Sequence, residues 1–273
     1  MYLASTEFGS DRSDGTQACE IVEEVEWYLS LLIRNGQIGQ NYVLGWSNRR
    51  LIAQCYLARP TSIRKQYHSQ RALQVLEHLV SYFEQSPRWS LLEDNVPKRF
   101  PSWKNSSSLV LWTHANAVHG SVSCGETGRS IPHYLLPLDG IVKEDIGHWT
   151  RSYQVIDQLW LESGALEIPA YRELVDPNSE LSSEGRELCQ KIERATNKPT
   201  YYFLHRYWGR RVNEEQRKCP GCGKCWRVKV SPQPLEPFHK FYFRCEGCRV
   251  VGHQGLSFDD ERHARIGEYR KEK

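Results

Sequence analysis

Residues 219–248 read CPGCGKCWRVKVSPQPLEPFHKFYFRCEGC, with two C-x-x-C pairs, Cys219/Cys222 and Cys245/Cys248, set 22 residues apart. A C-x-x-C step lets two thiolates grip one ion from a tight turn, and two such turns complete a tetrahedral sulfur site. Gly223 and Gly247 suit such knuckles, since a glycine there can take positive φ and turn backbone N–H groups toward the sulfurs. Between the pairs, Trp226 to Val230 and His239 to Arg244 alternate like two antiparallel strands, joined by a proline-rich turn (Pro232, Pro234, Pro237). This is the pattern of a zinc ribbon. The expected cofactor is structural Zn²⁺, because four cysteines leave no open position for water or substrate. Such an ion contributes on the order of 10 kcal/mol to folding a segment too small to bury a sufficient core. Cys222 and Cys225 also form a C-x-x-C pair. The CPxCG form and the strand beginning at Trp226 favour Cys219 with Cys222, leaving Cys225 as a spare thiol. Iron in the same sulfur cage is the alternative metal.

Charge concentrates in the same place. From Arg217 to His253 the chain carries eight basic residues (Arg217, Lys218, Lys224, Arg227, Lys229, Lys240, Arg244, Arg249) and two acidic ones, a net +6 that leaves the remainder at −3. Four thiolates and one divalent ion lower the ribbon to about +4. Basic residues interleaved with Trp226, Phe241, Tyr242 and Phe243 suit phosphate contacts and base stacking. The plainer alternative is that the aromatics fill the ribbon's thin core while the charges form its solvated face.

Upstream, the first hundred residues alternate strand-like and helix-like patterns. MYLASTEF opens as a strand. Ile21, Val22, Val25, Leu29, Leu32 and Ile33 repeat at helical spacing from Gln17 to Asn35, and Asn35-Gly36 stops that helix. Gln40 to Trp46 and Leu51 to Arg59 form a hairpin, Ser69 to Gln85 a second helix, and Trp89 to Leu92 a last strand. Strand, helix, strand, strand, helix, strand is the ferredoxin-like order. The Pro-, Asn- and Ser-rich stretch after Glu93 marks a boundary. Ser108 to His114 is a β run that extends the first sheet in this reading, and Ile131 to Leu138 is a short extended piece. Lys143 to Glu162 and Glu180 to Asn197 are helices, and Tyr201 to Trp208 is an aromatic strand. The fold class is therefore α+β, with a ferredoxin-like region at 1–95, a mixed helical region at 96–208, the ribbon at 209–256 and a charged tail at 257–273.

Other chemistry is thinly marked. His114 and His119 lie near Cys124, with His133 beyond, but five-residue spacing does not put two imidazoles on one helical face. An enzymatic reading rests on Cys124 with His114 or His119, and no orienting third residue can be named. Trp149, Tyr153 and Trp160 read as core. No phosphate-binding loop or H-E-x-x-H motif occurs, so no catalytic residue is assigned. No window approaches the roughly 18 apolar residues that span a bilayer, and the opening MYLASTEFGSDRSDG lacks the cations and apolar run of a secretory signal. A cytoplasmic location without membrane contact is expected.

Taken together, LLIRNGQI at 31–38, LVLWT at 109–113, IPHYLLP at 131–137, the Trp149/Tyr153/Asp157 helix with SGALE at 163–167, GRELCQKIERATNKPTYYFLHR at 185–206, and the two cysteine knuckles with their flanks, CPGCGKCWRV at 219–228 and FRCEGCRVV at 243–251, resemble a bacterial family of zinc-ribbon proteins of unknown function that carries a nucleic-acid-binding label. The resemblance implies ligation by Cys219, Cys222, Cys245 and Cys248. A further C-x-x-C common in that family reads Cys124-Gly125-Glu126-Thr127 here, so only one of its two cysteines is present. The expected function is nucleic-acid binding through the basic ribbon. The alternative is a protein–protein adaptor in which the ribbon is a structural staple.

Overall fold

The computed structural model describes residues 1–10, 16–92, 101–228 and 241–270, which form two compact units. One comprises Met1–Phe100, Val118–Gly120 and Pro132–Gly147, the other Pro101–Ala117, Ser121–Ile131 and His148–Lys273.

In the first unit β1 (Tyr2–Ser10), α1 (Thr16–Arg34), β2 (Ile38–Ser47), β3 (Arg50–Leu57), α2 (Gln70–Phe83) and β4 (Arg88–Leu91) follow in order. The sheet order is β2-β3-β1-β4, every pairing antiparallel. That is the ferredoxin-like arrangement. The hairpin turns on Asn48 and Arg49, both at positive φ (49° and 62°), which suits the right-handed strand twist. Two-residue alternation buries Ala4 and Phe8 on β1 and Leu51, Ala53, Cys55 and Leu57 on β3. Against that face α1 lays Ile21, Val25, Leu29 and Leu32, and α2 lays Ala72, Leu76, Leu79 and Phe83. Ser69 caps α2 by accepting the Ala72 N–H at 3.2 Å. Ser69→Ala should therefore cost about 1 kcal/mol in urea unfolding, while a change at the exposed Gln74 should cost little.

His133, which follows the His114/His119 pair along the sequence, is buried in this unit, and its Nε2–H donates to the Arg34 carbonyl at 2.9 Å. Burial lowers its pKa to about 4, so it is a neutral structural residue. The piece around it is a 3₁₀ turn, His133–Leu135, and not the extended run expected, because Pro132 enters a turn closed by the Leu136 N–H on the His133 carbonyl.

The second unit holds β5 (Leu109–Leu111), β6 (Val122–Cys124), most of α3 (Gly140–Glu162), α4 (Glu167–Val175), α5 (Glu180–Thr196), β7 (Thr200–Leu204), β8 (Phe243–Cys245), β9 (Val250–Gly252) and α6 (Glu261–Ala264). Its sheet order is β6-β5-β7-β9-β8, with β5, β7 and β9 parallel. Thus β5 does not extend the first sheet. It is buried at all three residues and needs a partner on each side, which β6 and β7 supply. β9 lies beside β7, from Tyr202↔Val250 to Leu204↔Gly252, so the ribbon's last strand belongs to this sheet. α3 and α5 cover it through Trp149, Tyr153, Leu188 and Ile192. Gly185 permits that contact, since a Cβ there would meet the Tyr202 ring at 2.2 Å. In the charged C-terminal stretch Ala264 is fully buried and Glu268 pairs with Arg210 and Arg217.

Candidate metal centre

Each cysteine pair sits on a turn whose exit residue has a left-handed backbone. In the first knuckle the Gly223 N–H donates to the Cys219 carbonyl at 2.8 Å and the Cys219 N–H to the Lys224 carbonyl at 2.9 Å. Gly223 has φ 70°, and the Tyr269 ring lies 2.5 Å from where a Cβ would stand, so only glycine fits. In the second knuckle the positive φ falls on Arg249 (52°), the residue after Cys248. Gly247 is not among the positive-φ glycines, which corrects its expected role: the residue that must reverse the chain follows the second cysteine, and here that is Arg249. Its strain is met by anchoring. The guanidinium donates to both carboxylate oxygens of Glu193 (3.1 and 3.0 Å) and to Glu246, and its backbone carbonyl accepts the Tyr202 N–H at 2.8 Å.

The Sγ atoms of Cys219, Cys222, Cys245 and Cys248 all lie within 4.8 Å of one another. Cys222 and Cys245 are 3.6 Å apart, too far for a disulfide. Thiolates at about 2.3 Å around one tetrahedral ion stand roughly 3.8 Å from each other. The four sulfurs thus form a cage of metal-binding size. Backbone N–H groups of Gly221 and Cys222 point at the Cys219 sulfur, and that of Lys224 at the Cys222 sulfur, as a cage for negative sulfurs requires. Burial raises the Cys219 thiol, and raises Cys248 to about 11. For Cys222, burial is outweighed by the Lys224 N–H and the neighbouring thiols, and the net shift is downward. An ion must therefore displace protons from at least two sites, and its affinity falls as pH falls. Cys225 is exposed, forms an isolated antiparallel bridge with Lys218, and lies outside the cluster.

The expected hairpin is present where described: Val228 N–H donates to Tyr242 O at 2.9 Å and Arg244 N–H to Trp226 O at 2.7 Å. Trp226 and Phe243 stack at 5.0 Å and are buried, so these two aromatics are ribbon core. Lys229, Lys240 and the proline turn lie outside the described residues. The other basic candidates do not act alike. Arg217 is 2% exposed and pairs with Glu214 at 2.9 Å and Glu268 at 3.1 Å, which removes it from any contact surface. Arg249 is committed to Glu193 and Glu246, and Arg244 pairs with Glu246 at 2.8 Å. Arg227 lies over the Tyr242 ring at 4.8 Å, with Glu215 at 3.6 Å. Lys218 and Lys224 are exposed and make no ion pair among the described residues. The Cys124 thiol donates to Glu126 Oε2 at 2.8 Å, and Glu126 also accepts from the Ser107 and Ser108 N–H groups. Cys124 thus takes part in closing the turn that follows β6.

Fold and cluster define an α+β protein with a four-cysteine site able to hold a metal. Family models described as domains of unknown function match residues 1–93 (DUF8589), 103–205 (DUF2310) and 209–259 (DUF8594). Two Haemophilus influenzae relatives, each described as an uncharacterized protein, are 34% identical over 160 residues, 58% of this chain, spanning 74% of one and 58% of the other. The chain belongs to this bacterial family of uncharacterized proteins. No solved structure matches it. No helix among the described residues is long and apolar enough to cross a membrane.

Proposed function

We propose that the cysteine cage holds Zn²⁺ as a structural ion and that the protein binds nucleic acid, without strong sequence readout, through the exposed side of its ribbon. The observation that carries this reading is that Lys218 and Lys224, at the first knuckle, are exposed with no ion pair among the described residues, while the Arg227 guanidinium lies over the Tyr242 ring. Lysines without acidic partners are free to replace counterions on phosphates, and a ring with an adjacent guanidinium is a platform for an unstacked base. A cytoplasmic location is part of the reading, because a thiolate site needs a compartment that keeps cysteines reduced.

The test is fluorescence anisotropy with single-stranded DNA and RNA at stepped salt. Binding should weaken with salt, and K218A/K224A should weaken it for every sequence and reduce the salt slope by about 1–2. No binding to either polymer at low salt overturns the proposal. The adaptor reading is favoured by one observation, the inward commitment of Arg217 and Arg249 together with the pairing of β9 to β7, which makes the ribbon an internal staple. A partner captured after nuclease treatment would support it. Metal analysis separates zinc from iron.

A further inference from the structure

The three parallel strands of the second unit run to one edge of the sheet, and each is followed by a histidine: His114 after β5, His205 after β7 and His253 after β9. The carboxyl ends of parallel strands are where such sheets open a crevice. Here a cavity of about 380 Å³ lies there, within the range of small-molecule sites.

Its wall is a continuous run of rings. Trp112 meets Phe203 at 5.6 Å, Phe203 meets His253 at 5.4 Å, His253 meets His205 at 5.7 Å, His205 meets Trp160 at 4.7 Å, and Trp160 meets Tyr207 at 5.3 Å. Leu161 and Leu256, 54% and 63% exposed, also line it. Among the described residues no lysine or arginine lines the cavity, and Asp157 is its one carboxylate. Burial holds all three imidazoles below the usual histidine range, so they bring no positive charge at neutral pH. No cationic side chain in the lining would meet an anionic ligand, the buried Arg206 acting on His205 and His253 from outside it.

Asp157 is only 5% exposed, and one of its oxygens accepts the Ala115 N–H at 2.7 Å. Burial raises its pKa, and its attraction to His114 offsets this only in part. His253 Nδ1–H donates to the Gln254 carbonyl at 2.6 Å, which leaves Nε2 as an acceptor. His205 Nε2 is buried with no partner. A buried carboxylate with no lysine or arginine in the cavity lining, acceptor nitrogens and aromatic faces together favour a cation that donates N–H bonds.

We propose that this cavity binds a small organic amine, its ammonium group on Asp157 and its apolar body against the rings of Trp112, Trp160 and Tyr207. The proposal does not depend on the ribbon's binding nucleic acid.

The test is calorimetric titration of the metal-loaded full chain at neutral pH with 2-phenylethylamine and with 2-phenylethanol, which keeps the ring and reach without the charge. The amine should bind at one site per chain, about tenfold or more tighter than the alcohol. Asp157→Asn, whose amide oxygen can still accept the Ala115 N–H, should weaken the amine by about tenfold or more and leave the alcohol within about twofold. Absence of amine binding, equal affinity for the alcohol, or an unchanged amine affinity in D157N overturns the proposal. If D157N does not fold, the comparison of amine and alcohol on the native chain decides alone.

Discussion

Replacing Cys245 by serine, or stripping the metal with a chelator, is expected to unfold the ribbon and lower the melting temperature of the second unit far more than that of the first. The cage joins two knuckles that share few buried side chains, chiefly the stacked Trp226 and Phe243. Metal binding to such a segment is folding free energy, about 10 kcal/mol in gross terms. The loss does not stop at the knuckles. Cys245 ends β8 and pairs with Val250, and β9 is bonded to β7, so the disturbance enters the five-stranded sheet. Calorimetric scans with and without chelator, with metal release measured on thiol modification, check this; one ion per chain should be released. A melting profile indifferent to chelator would refute the structural role.

The second large effect is expected at Arg217→Ala. This guanidinium is 2% exposed and donates to Glu214 Oε2, Glu268 Oε1 and the Ala264 carbonyl, while the Trp226 indole N–H donates to its backbone carbonyl. The Arg217 guanidinium helps hold Glu214 and Glu268 below the ordinary glutamate range against the burial that opposes ionisation. Removing Arg217 leaves two carboxylates short of a partner in the interior, a change that costs about 3–5 kcal/mol. Because both folded-state pKa values are depressed, the network stabilises above the unfolded glutamate pKa near 4.3 and loses its contribution as pH falls below it. Urea unfolding of R217A at pH 7 and pH 4 should show a large penalty at pH 7 that shrinks at pH 4. An equal penalty at both values would mean that packing, and not charge, is what Arg217 supplies.

These two residues show what was legible in the sequence. The cysteine cage could be read because C-x-x-C is a local geometric demand, satisfied within four residues. The ferredoxin-like order was legible for a similar reason: α1 and α2 advertise their inward faces at helical spacing, and β2 and β3 meet across a two-residue turn. Arg217 carries the same charge as Lys218, yet one is buried and the other exposed. Only the return of residues 264–268 to cover Arg217 decides that, and no local pattern announces it. The second sheet was illegible on the same grounds. β5, β7 and β9 are three to five residues long, their partners lie about 50 to 90 residues away, and runs buried on both faces show no alternation. One signal was present and unused: LVLWTH, YYFLH and RVVGH are each a β run ending in histidine, which places three imidazoles at one sheet edge if the strands are parallel.

The position of β9 also bears on how the chain is built. A strand made from residues 250–252 sits between β7 and β8, not at the sheet's margin. During synthesis β7 therefore leaves the ribosome some fifty residues before the strand that covers its second edge. An open edge of this kind is a template for wrong pairing between chains. On the proposed reading, in which an ion sets the knuckles, scarcity of that ion should show first as aggregation of newly made chains rather than as inactivity of finished ones.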